Sequence, residues 1–233
     1  MAYDNTKAPT VRESFVRELE NKIISGQLKV GDKLPPAKEM CALMGVSLTV
    51  VNAGMSELVS KGFVETVPRR GSYVADYKKK GNSDTFMSIM RYNGGTLTSG
   101  EVRSFIETRM ALDPFVMRLV VERATSEQLA SLKPRLELMR DESDRRRLCE
   151  LVTAFYHSLA LLSGNTFMAL LYHSSFEPQC CVYGMYFDKN GTDSTVANCE
   201  KLCELLLARD GEQAAALTVM ALSTALEGEM AVV

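Results

Sequence analysis

A mainly α-helical fold in two parts, carrying one small β-hairpin, is what this sequence predicts, and three observations support it. Apolar side chains recur at helical spacing along most of the chain. Two short β-rich runs, 63–67 and 72–75, stand alone around a Pro-Arg-Arg-Gly turn. After residue 80 there is no strand-like alternation, and 233 residues suffice for two domains with a core in each.

The first helix is expected over 10–25, where Val11, Phe15, Leu19 and Ile23 repeat every four residues to make one buried stripe. Thr10 suits its N-cap and Gly26 its closing glycine. Residues 29–36 form a turn and a proline-led helix start. A short helix over 37–44 buries Met40, Leu43 and Cys41 and breaks at Gly45. Ser47 caps the next helix, 48–61, whose core face holds Val50 or Val51, Met55, Leu58 and Val59. The hairpin follows. These elements make a first domain over 1–76, and the polar, charged run at 77–84 reads as a linker to a second domain over 85–233.

In that second part, 85–92 is a short amphipathic piece. A long helix over 99–122 sets Val102, Phe105, Ile106, Met110 and Leu112 on one side, with Pro114 a candidate kink. Thr125 and Gln128 form a capping box for a helix through Arg140, with Pro134 a second kink. Further helices are expected over 144–162, 166–186, 195–208 and 213–229. The sum is an antiparallel, all-α bundle of six or seven helices.

Composition narrows the function. Hydrophobic residues at 46% and charged residues at 24% are an ordinary globular balance. No apolar run reaches the ~18 residues of a membrane span, and the first residues lack the apolar stretch of a signal peptide. Cysteines 41, 149, 180, 181, 199 and 203 have no compact disulfide spacing, so a reducing cytoplasm is the expected compartment and no membrane contact is expected. The net charge of −2 divides unevenly: residues 1–80 carry 13 Lys/Arg against 9 Asp/Glu, and the remainder carries 14 against 20. A basic front half suits a module that meets phosphates.

Helix, helix, turn, helix, hairpin is the order of a winged helix-turn-helix, which lays a recognition helix in the DNA major groove and a basic hairpin in the minor groove. Gly31-Asp32-Lys33-Leu34-Pro35, then Gly45-Val46-Ser47, then Leu58-Val59-Ser60-Lys61-Gly62-Phe63-Val64 resemble the signature of GntR-type bacterial transcription regulators over roughly residues 10–75. With an all-helical domain behind it, the chain is similar to the FadR-like subfamily. The resemblance implies a homodimer on a palindromic double-stranded operator, and a helical domain that dimerises and binds a small effector.

The positions that would contact DNA by this resemblance are Lys38, Ser47, Leu48, Thr49, Asn52, Arg69, Arg70 and Gly71. Here the chain departs from the family. Pro-Ser-Glu-Arg-Glu is replaced by Pro35-Pro36-Ala37-Lys38-Glu39, the Ser-Arg opening the recognition helix by Ser47-Leu48, and a later arginine by Asn52. Lysine lacks the bidentate fork that reads guanine, whereas asparagine can pair with adenine and Thr49 can reach a phosphate or a thymine methyl. An operator unlike the usual family consensus, or weaker binding, is therefore expected. In the wing, Arg69 replaces the glycine usually found two residues before Gly71.

Many domains of this subfamily hold a divalent metal on one Asp and three His. Here His157 matches one histidine, while Thr153, Cys199 and Ala221 fall at the other three positions. That site is expected to be absent, and no cofactor is expected. A set of His157, His173, Cys199 and Cys203 offers donors that zinc accepts, but the sequence does not bring His173 to the cysteines. The metal-free type of the subfamily implies an acyl or carboxylate effector. Candidate effector residues are Phe155, Tyr156, His157 and Tyr183, with Phe167, Met168, Tyr172 and Met185 nearby in sequence, and Arg103 and Arg109 to pair with an anionic group. Both arginines can equally form surface salt bridges with Glu107 or other carboxylates.

No phosphate-binding glycine loop, nucleophile elbow or Cys-x-x-Cys pair is present, so no catalytic residue is assigned. The Arg145-Arg146-Arg147 triplet is read as a solvated face balancing Asp141, Glu142 and Asp144. The missing arginines leave a second reading open, an interaction protein that keeps the fold without specific operator reading.

Overall fold

A computed structural model describes residues 8–227 and residue 232. The chain divides into two compact units, Met1–Gly95 and Thr96–Val233.

In the first unit, α1 (Val11–Ile24) opens with the capping box of Thr10 and Glu13. Its buried stripe is Phe15, Val16, Leu19 and Ile23, while Val11 is exposed at the first turn. Helix α2 (Ala37–Met44) buries Met40 but turns Leu43 outward. Gly45 ends α2 in the left-handed conformation, and the Ser47 hydroxyl accepts from the Val50 amide to start α3 (Leu48–Ser60). Helices α2 and α3 meet at a bend of 109°, the angle of a helix-turn-helix. The buried face of α3 is Val51, Gly54 and Leu58; Met55 is half-buried and Val59 exposed, a rotation of the expected face toward α1. The rotation follows from close packing at Gly54, where a Cβ would fall 2.4 Å from Phe15 Cδ1.

Strands β1 (Val64–Val67) and β2 (Gly71–Val74) pair antiparallel, with Val64 opposite Val74 and Val67 opposite Gly71. The segment before α2 backs this wing: the Leu34 amide donates to Ser72 O and the Val74 amide to Asp32 O, both at 2.9 Å.

The expected linker and domain boundary need correction. Tyr77–Lys80 is a helical turn (α4), and α5 (Ser83–Tyr92) belongs to the first unit, which runs on to Gly95. Polar contacts, most of them buried, hold it there. The Asn82 amide donates to Ser60 O, and the Thr85 hydroxyl to Lys61 O at 2.6 Å. Ser88 donates to Glu20 Oε1 at 2.8 Å, beside the Lys61–Glu20 ion pair at 2.9 Å. A serine and threonine that look solvated in sequence are thus only 2% and 3% exposed, because their partners lie far along the chain.

The second unit is a helical bundle. Helix α6 (Ser99–Arg123) starts with a Thr98–Glu101 capping box and runs unbroken through Pro114. Its buried stripe, Val102, Ile106, Arg109, Asp113, Val116 and Val120, passes through two charged residues that the apolar pattern left out. The stretch from Thr125 is two helices, α7 (Ser126–Ala130) and α8 (Lys133–Asp141), with Pro134 in the first turn of α8, where its missing amide costs little. Helix α9 (Arg145–Leu162) is capped by Asp144. The run expected as one helix over 166–186 breaks at Ser175 into α10 (Thr166–Ser174) and α11 (Phe176–Asn190). Helices α12 (Asp193–Leu207) and α13 (Gly211–Leu226) follow, α13 packing along α6. The expected end of the last helix at residue 229 lies outside the described residues. Met117, Leu129, Val152, Phe155, Leu159 and Leu202 form the centre of the core.

Candidate nucleic-acid interface and ligand pocket

All eight residues expected at DNA are exposed: Lys38, Ser47, Leu48, Thr49, Asn52, Arg69, Arg70 and Gly71. Packing explains the face they share on α3. With Val51, Gly54 and Leu58 turned to α1, helical geometry sends Leu48, Thr49 and Asn52 outward, and with them Ala53 and Ser56, which sequence reading did not single out. Leu48 is 46% exposed at the start of the helix, a position that burial does not account for.

The wing turn explains a substitution. Arg69 has φ of +63°, in the left-handed region where glycine is favoured. Its backbone therefore adopts the conformation that the family's glycine would, at a cost of about 1–2 kcal/mol. Gly71 allows Lys33 to lie alongside the turn, since a Cβ there would meet Lys33 Cε at 3.1 Å. Lys33 was not foreseen as part of the wing; its pairing to β2 through the Lys33–Tyr73 bridge puts it there. Among the described residues, Lys33, Lys38, Arg69 and Arg70 have no carboxylate partner, whereas Lys61 pairs with Glu20 and Glu57, and Lys80 with Glu65. The arginine triplet of α9 also pairs, Arg145 with Asp188 at 3.0 Å, and Arg146 and Arg147 with Glu150.

The second unit holds a cavity of about 60 Å³ between α6, α9, α11, α12 and α13. Of the residues expected at an effector, Arg109, Tyr156 and Tyr183 line it. Arg103 does not: it is half exposed and lies 3.9 Å from Glu107, the surface pair weighed as its other role. Phe155 is fully buried in the core, Phe167 is exposed, and His157 faces His173 with ring centroids 5.4 Å apart. Apolar helical spacing does not distinguish a pocket wall from a core side, which is why Phe155 was misplaced.

Arg109 is enclosed. Its Nε and Nη2 donate to the two oxygens of Asp113, each at 2.6 Å, and Asp113 Oδ1 also accepts the Tyr172 hydroxyl. The Tyr156 and Tyr172 rings lie 4.8 and 5.1 Å from the guanidinium carbon. Burial works against the Arg109 charge, yet Asp113 and then Tyr172 outweigh it and raise its pKa. Burial likewise raises the pKa of Tyr156 and Tyr183, which remain protonated donors.

The residue that sequence reading missed is Gln179, on α11. It lines the cavity, is 1% exposed and lies near the Tyr183 hydroxyl. Yet neither its Nε2 nor its Oε1 has a hydrogen-bond partner of ordinary geometry among the described residues.

The four donors weighed for zinc do not converge. No group of three or more His, Cys, Asp or Glu among the described residues is placed to hold a metal ion. Cys199 and Cys203 are buried thiols, Cys199 pushed up to about 12 by desolvation. Thr153 is buried with its hydroxyl accepting from the Cys180 thiol. His157 is held below the ordinary imidazole value, first by burial and then by His173.

Comparison with known proteins places both units. Residues 11–74 match the bacterial regulatory proteins of the gntR family, and residues 104–224 match the FCD domain. An uncharacterized HTH-type transcriptional regulator, YcbG of Bacillus subtilis, is 25% identical over 162 residues, which are 70% of this chain and 66% of that protein. The regulator Mce2R of Mycobacterium tuberculosis is 26% identical over 62% of this chain and 60% of its own length, so the chain spans about two thirds or less of these two relatives. The galactonate operon transcriptional repressor of Escherichia coli is 24% identical across 91% of this chain and 94% of its own. Among solved structures, Lar of Listeria monocytogenes shares the fold at a TM-score of 0.59 and 14% identity, with 94% of this chain and 95% of that one covered. No single helix among the described residues is long and apolar enough to cross a membrane. Two matched domains in this order, the second spanning over half of the chain, make the protein a member of the GntR family of bacterial transcription regulators, with a DNA-binding winged helix and an FCD domain.

Proposed function

We propose that this chain is a cytoplasmic, non-enzymatic, ligand-responsive regulator that binds a palindromic operator as a homodimer, its affinity altered by a small effector in the cavity of the second unit. The observation that carries the DNA half is the outward face of α3 together with four exposed cations of the same unit that have no carboxylate partner among the described residues, Lys33, Lys38, Arg69 and Arg70. Unpaired cations accompanying a groove-sized helix are what phosphates recruit, and each phosphate contact releases counterions. Asn52, with no arginine on that face, favours an adenine contact, and the exposed Leu48 and Thr49 suit thymine methyls. Two-fold symmetry of the protein would be mirrored in two half-sites.

The absence of arginine from α3 also favours the second reading, an interaction protein that keeps the fold without specific operator reading. One titration separates the two. Labelled DNA from upstream of the gene is compared with random duplex at several salt concentrations. Operator binding predicts at least ~10³-fold preference, and equal affinity for both DNAs supports the interaction protein. Effector action predicts reciprocal coupling: a ligand that shifts DNA affinity must have its own affinity shifted equally by DNA.

A further inference from the structure

The cavity of the second unit adjoins an ion pair that is already complete and an amide that is not. Arg109 spends its Nε–Nη2 edge on Asp113 and has tyrosine rings near its guanidinium, and among the described residues it is the one charged side chain lining the cavity. A carboxylate or phosphate entering here must displace Asp113 or become a second buried anion beside it. Either course is penalised in a low-dielectric interior.

Gln179 presents the opposite situation. Its amide has one acceptor oxygen and two N–H donors, and at 1% exposure neither polar atom has a hydrogen-bond partner of ordinary geometry among the described residues, although the Tyr183 hydroxyl lies near. Buried polar groups in native proteins are rarely left so, because an unmade bond carries the full desolvation cost. The group that would complete it from the cavity side presents a donor and an acceptor next to each other, as a second amide does. The remaining walls mix apolar side chains such as Phe105, Ile106, Val182 and Leu222 with the polar Thr195, Asn198 and tyrosine hydroxyls. Among these described residues Gln179 is the buried polar group left without a partner of ordinary geometry, which suits it to orient a ligand. At about 60 Å³, the enclosed part of that ligand is small.

Building on the effector reading above, we propose that this pocket selects an uncharged ligand bearing an amide-type donor–acceptor pair, such as a primary carboxamide, lactam or cyclic imide. Gln179 pairs with it edge to edge, and the Arg109–Asp113 pair turns carboxylates and phosphates away.

The test uses the whole protein and shape-matched probes, benzamide and nicotinamide against benzoate and nicotinate, followed by calorimetry and thermal shift. In each pair the amide should bind at least roughly tenfold tighter, since a site built to hydrogen-bond one partner rejects the mismatched analogue. Gln179→Met, similar in length and without polar atoms, should lower amide affinity by about tenfold or more and raise the Tm of the free protein, because it removes an unmatched buried amide. Asp113→Asn should move the preference toward the carboxylates by exposing the Arg109 charge to them. The proposal is overturned if the carboxylates bind as tightly as the amides, if neither amide binds at millimolar concentration, or if Gln179→Met binds the amides unchanged. Operator affinity is followed in parallel. Amides that bind and leave it unaltered support the pocket chemistry and defeat the effector reading alone.

Discussion

The cations of the two candidate sites, one in each unit, are treated in opposite ways. At the first, Lys33, Lys38, Arg69 and Arg70 are exposed with no carboxylate partner among the described residues. In the second, Arg109 is turned inward, 5% exposed and bonded twice to Asp113. A cation left unpaired at a surface keeps its full field for a polyanion. One neutralised inside the protein has none to offer, so its contribution is to shape and polarity. The contrast teaches that cation count alone does not mark an anion site; the partner each cation already has decides it.

The harshest way to break this comparison is Asp113→Ala, which strands Arg109 without its partner. We expect a loss of about 3–5 kcal/mol in chemical denaturation, while DNA affinity of the protein that remains folded stays unchanged. Replacing both members, as Arg109→Leu with Asp113→Leu, should recover most of the loss; an equally unstable double variant would mean that the pair does more than cancel itself.

On the outward side, Asn52→Ala is expected to cost about 1–3 kcal/mol of operator affinity and to relax the preference at one base position. Competition with operators altered at single positions would detect this. Uniform weakening across all of them would instead assign Asn52 to the backbone. Arg70→Ala should weaken binding to every sequence alike and reduce the salt slope by ~0.9.

Arg69→Gly sharpens the comparison further, because it separates charge from backbone strain. Stability should rise by about 1 kcal/mol as the left-handed residue is relieved, and the salt slope should fall as with Arg70→Ala. A drop in stability would show that the Arg69 side chain packs where none of its contacts indicates it does.

The smallest expected effect concerns His157, whose folded pKa is depressed by burial and by His173. A depressed histidine favours the folded state above its unfolded pKa of about 6.5, and that stability is lost as pH falls through the folded value. Denaturation midpoints should thus decline below about pH 6.5, and His157→Asn should flatten the decline. An unchanged slope would exclude His157 as its source.

Local signals made most elements readable. Thr10, Ser47, Thr98, Thr125 and Asp144 all cap the helices that their side-chain chemistry suits, and the Pro-Arg-Arg-Gly turn fell between two paired strands. What escaped depended on distant partners. Helix α5 read as the far side of a linker because Thr85 and Ser88 are polar, and nothing local announces Lys61 O or Glu20 as their acceptors. The break at Ser175 carries neither proline nor glycine. At the pocket, Arg109 looked like an open charge because its closure needs Tyr172 from another helix as well as Asp113 from its own. Gln179 was invisible, since a glutamine in a helix ordinarily faces water.

The tight seat of Gly54 against Phe15 has a consequence for how this protein can change its target. The inner side of α3 is frozen: any side chain at position 54 collides with α1, so drift there is purged by loss of the fold. Its outer side, at Leu48, Thr49, Asn52, Ala53 and Ser56, is exposed and free to vary. Retargeting is thereby uncoupled from folding, and a library confined to those five positions can search operator space on an unchanged scaffold.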